Sequence, residues 1–372
     1  MKRYILFLFI VLLYGGLYAE ESFKEVLLGR IFTLDQQGNM YVDSGEHSIA
    51  KYSPKGEFLL KMGQKGEGPG DIKRLGWFEI NPLDNVIYVT EFLNGNKWVS
   101  RFSTGGKYLG EWKCTLDWQK YGAITCIQFD GEGNIYIQKV NPRSYRLKEF
   151  TVDSFDYQLL KYSPEGQLLK TIYTLSYDFS ASKGGKGEVT IPFGNYLFWN
   201  IHKDNVIVRE NTADYITIFD LDGNLKKKVP LPFKKEKVTK KDRDEWVEEM
   251  KSNDWVKKAI ARGTYDLKYW RERLPFPEYK PVSGGSMFID NQDNLYSRPY
   301  SQVEGAKYTT WAKINLDTYT LTLAYSPRRG GGLIKICTDF NYIFKRDAEG
   351  NAVLYKTDGD YFSSKGDWHA GE

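Results

Sequence analysis

The sequence predicts an all-β chain, a six-bladed β-propeller of four-stranded antiparallel blades with a helical insertion between blades 4 and 5. Three observations predict it. An Asn–apolar–Tyr/Ile pattern recurs six times along the chain, and a second turn pattern follows each copy. The composition, 16% aromatic with 35 glycines in 372 residues, suits strands separated by tight turns.

The first pattern reads Asn39-Met40-Tyr41, Asn85-Val86-Ile87, Asn134-Ile135-Tyr136, Asn205-Val206-Ile207, Asn294-Leu295-Tyr296 and Asn341-Tyr342-Ile343. The residues before it are Gly38, Asp84, Gly133, Asp204, Asp293 and Phe340. Gly-Asn and Asp-Asn pairs accept positive φ and close hairpins, so each copy reads as strand, tight turn, strand. The second pattern is clearest in Lys51-Tyr52-Ser53-Pro54-Lys55-Gly56 and Lys161-Tyr162-Ser163-Pro164-Glu165-Gly166. It reads as a second hairpin, with Pro at a turn position that suits its fixed φ. Two hairpins make a four-stranded sheet, and stacking such sheets radially buries both faces of each. The sixth copy is compressed: nine positions separate Asn341 from Gly350, against seventeen between Asn39 and Gly56. Strand-forming residues around Phe23 to Gly29 are expected to complete it.

The start of the chain reads as an export signal. Lys2 and Arg3 precede an apolar run from Tyr4 to Tyr14, and Ala19 is the expected cleavage point. The division is then a signal peptide over 1–19, a propeller over 23–357 with helices inserted at 234–274, and a tail over 358–372. The mature protein is expected to be periplasmic or extracellular, without a membrane span, and monomeric. Losing Lys2 and Arg3 lowers the formal charge from +4 by two, too little for a nucleic-acid surface. Cys114 and Cys126 are the candidate disulfide in an oxidising compartment, leaving Cys337 as a buried thiol. Three scattered histidines, His47, His202 and His369, make a poor zinc supply.

Both turn patterns fall on one face of the disc, so the variable connections fall on the other. The second-to-third-strand link is long from Gln138 to Gln158. The connection between blades is longest from Lys227 to Ser286. Length variation confined to one face marks that face as the place where function is added. Thr239-Lys240-Lys241-Asp242 looks like a capping box. Trp246, Val247 and Met250, then Trp255, Val256, Ala259 and Ile260, follow at helical spacing up to a Gly263 cap. A short third helix is expected from Tyr265 to Arg273, carrying Trp270. The segment reads either as a lid over the channel or as helices whose Trp residues pack on the propeller. Charges just beyond the second strands, Asp43, Glu91, Lys139, Arg209, Glu210 and Arg298, are the candidate ligand-binding set at the channel mouth.

Residues Asp35 to Asp43, Ile49 to Ser53 and Gly56-Glu57-Phe58-Leu59, with the linker Gly63 to Ile72, resemble NHL repeats. The resemblance spans roughly residues 30 to 350 and is sharp in the first three copies. It implies a six-bladed propeller of the TolB-like type, as in exported bacterial propellers, and no single activity. Catalytic relatives would imply calcium on Asp43, Glu91 and Asn211, though Lys139, Arg209 and Arg298 would compete there. The leading expectation is a non-enzymatic module without cofactor that presents its decorated face to a protein or glycan. The alternative is a calcium-dependent hydrolase or lyase of the lactonase-like type acting at the axial pocket. Gly63 to Gly70 lacks the Gly-Lys-Ser/Thr ending of a phosphate loop, and Gly184-Gly185-Lys186-Gly187 and Gly330-Gly331-Gly332 read as flexible turns, with Arg328-Arg329 able to meet an anion.

Overall fold

The computed structural model describes residues 20–27, 31–45, 47–91, 98–113, 123–146, 151–178, 193–252, 254–263, 276–301, 308–327, 331–336, 340–346 and 352–358. The expected signal peptide, the third helix and Trp270, Cys114, Cys337, His369, Arg328-Arg329, Gly184 to Gly187 and the tail beyond Asp358 lie outside them.

After β1 (Glu20–Leu27), the chain lays down sheets of four consecutive strands. Blade 1 is β2 (Phe32–Leu34), β3 (Met40–Asp43), β4 (Ile49–Tyr52) and β5 (Phe58–Met62). Blade 2 is β6 (Leu75–Asn81), β7 (Val86–Glu91), β8 (Trp98–Ser103) and β9 (Tyr108–Lys113). Blade 3 is β10 (Ala123–Phe129), β11 (Ile135–Arg146), β12 (Thr151–Tyr162) and β13 (Leu168–Asp178). Blade 4 is β14 (Leu197–His202), β15 (Asn205–Glu210), β16 (Tyr215–Phe219) and β17 (Leu225–Pro230). Blade 5 is β18 (Ser283–Ile289), β19 (Asn294–Pro299), β20 (Tyr308–Asn315) and β21 (Leu321–Pro327). The innermost strands lie side by side in the order β2, β6, β10, β14, β18.

The expectation of six equivalent blades is corrected to five. Only five sheets are built from four strands consecutive in the chain. The compressed last copy supplies three strands, β22 (Gly331–Ile336), β23 (Phe340–Arg346) and β24 (Ala352–Asp358), because the nine positions from Asn341 to Gly350 leave room for a single strand between the two patterns. These three strands form a composite sheet with β1, which pairs antiparallel with β24 (Phe23 opposite Leu354). The helical insertion expected over 234–274 is also corrected in extent. Helix among the described residues is confined to α1 (Lys240–Ser252) and α2 (Asp254–Ala261), and Lys237 is bridged to Tyr279 at the base of the excursion.

The cores lie between sheets. On β7, Ile87 and Val89 pack with Phe78 and Tyr41 toward blade 1, whereas Tyr88 packs with Phe129 and Ile127 toward blade 3. The two-residue period of a strand sends alternate side chains to opposite neighbours, so inner strands read as nearly continuous apolar runs. Ile207 and Ile218 meet Leu295 and Ile314 between blades 4 and 5 in the same way.

The Asn turns owe their shape to a carboxylate. Asp35 Oδ1 accepts the N–H of Gln37 and of Asn39, each at 2.9 Å, and Oδ2 accepts Asn39 Nδ2 at 2.8 Å and the Tyr41 hydroxyl at 3.0 Å. Asp130 does the same with Glu132, Asn134 and Tyr136, and Asp290 with Gln292, Asn294 and Tyr296. A lysine of the third strand joins: Lys51 lies 3.6 Å from Asp35 and Lys161 lies 3.9 Å from Asp130. Both lysines reach the next blade, Lys51 to the Thr104 carbonyl and Lys161 to the Leu221 carbonyl, each at 3.1 Å. The recurring Asp, Asn, Tyr and Lys therefore stitch blade 1 to blade 2 and blade 3 to blade 4 on the turn face.

The glycine-rich linker closes on its own acid. Asp71 accepts the Gly68 N–H at 2.7 Å and Gln64 Nε2 at 2.9 Å, and a Cβ on Gly66 would clash with Asp71 Oδ2. The loop's anion is thus part of the chain, consistent with its lack of a phosphate-loop ending.

Burial alone would raise the Asp35 pKa, but the hydrogen bonds from the Asn39 side chain and backbone, Tyr41 and Gln37 outweigh it and hold the carboxyl below its ordinary value. A depressed carboxyl stabilises the fold above its unfolded pKa, and that stability is lost as pH falls through the folded value. Urea unfolding of the native chain should therefore weaken as pH drops below about 4, and Asp35→Ala should lose less over that window. At pH 7, Asp35→Ala should cost about 3 kcal/mol, because it orphans several buried donors at once, and Tyr41→Phe about 1 kcal/mol.

Candidate functional site

The face opposite the turns carries the irregular connections. The link expected as a long loop after Gln138 is instead a protruding β-arm, with β11 and β12 paired from Gln138–Leu159 out to Arg146–Thr151. Lys139, expected just beyond the second strand, therefore lies within it and is buried. Inner strands carry bulges near this rim, between Leu75 and Trp77, Ile124 and Cys126, and Gly284 and Phe288. Bulges re-aim side chains and end regular pairing where a site is built.

The other expected residues separate into local arrangements. Asp43, buried at the end of β3, accepts the Ile31 N–H at 2.8 Å. Glu91 accepts the Lys73 N–H at 3.1 Å. Burial pushes its carboxyl above the usual range, against the N–H groups of Lys73 and Arg74 and the Lys73 charge. Glu210 takes a hydrogen bond from the Tyr173 hydroxyl of blade 3, and burial with that bond raises the tyrosine pKa.

Arg209 and Arg298 are brought together. They hold matching places, four residues after Asn205 and Asn294, and meet at the β18 bulge. Arg209 Nη1 donates to Ser297 Oγ at 2.7 Å, and Nη2 donates to the Gly285 carbonyl. The Phe198 ring lies 4.7 Å from its guanidinium carbon. Burial, then the charge of Arg298, brings the Arg209 pKa down to about 9.

Asn211, expected as a calcium ligand, is committed to structure. Its Oδ1 accepts the Tyr196 N–H at 2.8 Å, and its Nδ2 donates to the Gly194 carbonyl at 2.9 Å. Its backbone carbonyl accepts the N–H of Val282 and of Ser283. Among the described residues no group of three or more His, Cys, Asp or Glu is placed to hold a metal. Cys126 carries a free thiol, half-buried on β10, and its expected partner Cys114 lies outside the described residues. Burial and then the charge of Glu79 push that thiol up to about 12, leaving it protonated and inert at neutral pH.

The helices are anchored at both ends. Asp242 Oδ2 accepts the Thr239 N–H at 2.8 Å while its own N–H donates back to Thr239 Oγ1 at 3.2 Å, a reciprocal cap. Lys280 lies 2.7 Å from Asp242 Oδ1 and closes the base of the excursion. Gly263, at φ +69°, donates to the Ile260 carbonyl and ends α2. Trp246 stacks edge-on against Phe276 at 5.7 Å, Phe276 lies 6.1 Å from Phe193, and Phe193 lies 6.1 Å from Tyr300 of blade 5. Trp246 is thus a packing residue that joins α1 to the propeller.

Ser283, Ser297 and Tyr300 were not among the expected site residues. The adjacent glycines Gly284-Gly285 inside a strand pattern are the sequence signal that marks this bulge.

No family model and no curated protein matches the chain. Solved structures resemble it in fold. A protein from Bacteroides fragilis described as exported is 15% identical, with TM-score 0.50 over 90% of this chain and 92% of its own. A member of the DUF4221 family from Bacteroides vulgatus is 11% identical, with TM-score 0.52 over 92% of this chain and 96% of its own. These likenesses place the chain among β-propellers, with no helix among the described residues long and apolar enough to cross a membrane.

Asn211→Ala should lower stability by about 2–4 kcal/mol, since it leaves a buried N–H and a carbonyl without partners. Denaturant unfolding measures this, and a loss below about 0.5 kcal/mol would show that Asn211 does not hold the 194–196 and 282–283 segments together.

Proposed function

We propose that the protein is an exported, non-enzymatic binding module that presents its decorated face to a protein or glycan. The supporting observation is the asymmetry of the disc. One face is made of short, carboxylate-locked turns stitched between blades, and the other carries the β-arm at 138–159, the helices at 240–261 and the bulged inner strands. A rigid scaffold with excursions on one side separates stability from recognition. The repeat resemblance extends this reading to the NHL and TolB-like group, and the exported description of the Bacteroides fragilis neighbour agrees with delivery to the periplasm or the exterior. The 1–19 segment acts as the cleaved leader and 23–357 as the working unit.

Replacing 240–261 with a short Gly-Ser linker, checked for folding by circular dichroism, should weaken binding on a panel of immobilised glycans and envelope proteins at least tenfold. Unchanged binding would remove the helices from the recognition surface. Calcium should leave the melting temperature within about 1 °C of the metal-free value. A larger rise that vanishes in Asp43→Ala and Glu91→Ala would favour the metal-dependent hydrolase or lyase instead.

A further inference from the structure

Arg209 leads the fully buried side chains of the described residues by volume, and no acid pairs with it there. Its Nε has no hydrogen-bond partner, and neither has the Oγ of Ser283, which begins the same bulge and is also fully buried. Arg298 reaches the bulge from the other side: a Cβ on Gly285 would stand 2.8 Å from its Nη2. Two guanidinium groups therefore meet around Gly285 without an ion pair among the described residues.

Burying one such charge costs several kcal/mol. Carbonyl and hydroxyl acceptors and a ring face offset only part of that cost, and the second cation adds repulsion. An oxyanion beside Arg298 would relieve the imbalance with charge-assisted, paired hydrogen bonds. Within the glycan class of the proposed module, a sugar that carries a carboxylate supplies such an oxyanion.

We propose that the β18 bulge, with Arg298 in direct contact and Arg209 supplying charge from beneath, binds the carboxylate of an acidic sugar. This deepens the binding-module reading, on which it rests, by naming the ligand class. The test is thermal unfolding of the full chain in glucuronate, in glucose and in inorganic phosphate, each at one ionic strength set with chloride. Glucuronate should raise the melting temperature saturably by about 3 °C, more than phosphate does, and glucose should not. Arg298→Gln should abolish the rise, and Arg298→Lys should keep part of it. The rise should persist when 240–261 is replaced, so a failure here is distinct from a failure of the helical recognition surface. No shift beyond chloride, an equal shift in Arg298→Gln, or a larger shift with phosphate than with glucuronate would overturn the proposal.

Discussion

The structure depends on a buried carboxylate at the start of the Asn turn. Asp35 and Asp130 each gather the backbone of their own turn, an Asn amide and a Tyr hydroxyl, and each sits beside a Lys that bonds to the neighbouring blade. Removing such a group from water is costly, and only a full set of donors makes the position stable. Once satisfied, one side chain fixes turn geometry, strand register and blade-to-blade spacing together.

The stitch alternates along the chain. Blades 1, 3 and 5 carry Asp and Tyr at the matching positions, whereas Ile87 and Ile207 replace the tyrosine in blades 2 and 4. Blades 2 and 4 contribute the accepting carbonyls of Thr104 and Leu221. The regular stitches lie on the turn face, and the excursions, bulges and poorly compensated charge lie on the opposite one. The β-arm and the helices lie on elements that the repeat pattern does not specify, whereas Arg209 and Arg298 stand at its edge, at matching places on the second strands of blades 4 and 5.

The repeated turns were legible because each needs particular residues: positive φ at Gly38 and Gly133, and an acid four positions before each Asn of the odd blades. The composite sheet was legible in outline from the short spacing between Asn341 and Gly350, but the count of regular blades was not, because pattern copies register turns rather than strands. Lys139 was misplaced because the strands of blade 3 continue past the disc, and nothing in the pattern marks where pairing stops. Arg209 and Arg298 were visible as charges after the second strands. Their meeting at one bulge was not, since it depends on contacts between blades far apart in sequence. That the Asn211 acceptor is already used by the Tyr196 N–H was not legible either, since residue type does not reveal a side chain's partners.

The central claim is that recognition belongs to one face of the disc and rigidity to the other. Amide hydrogen exchange on the full chain, with and without a saturating acidic oligosaccharide, tests it directly. The account predicts added protection at 193–214 and 282–301, with the turns at 35–39, 53–56, 130–134 and 163–166 protected already and unchanged. New protection confined to those turns would place the ligand on the stitched face and contradict the account.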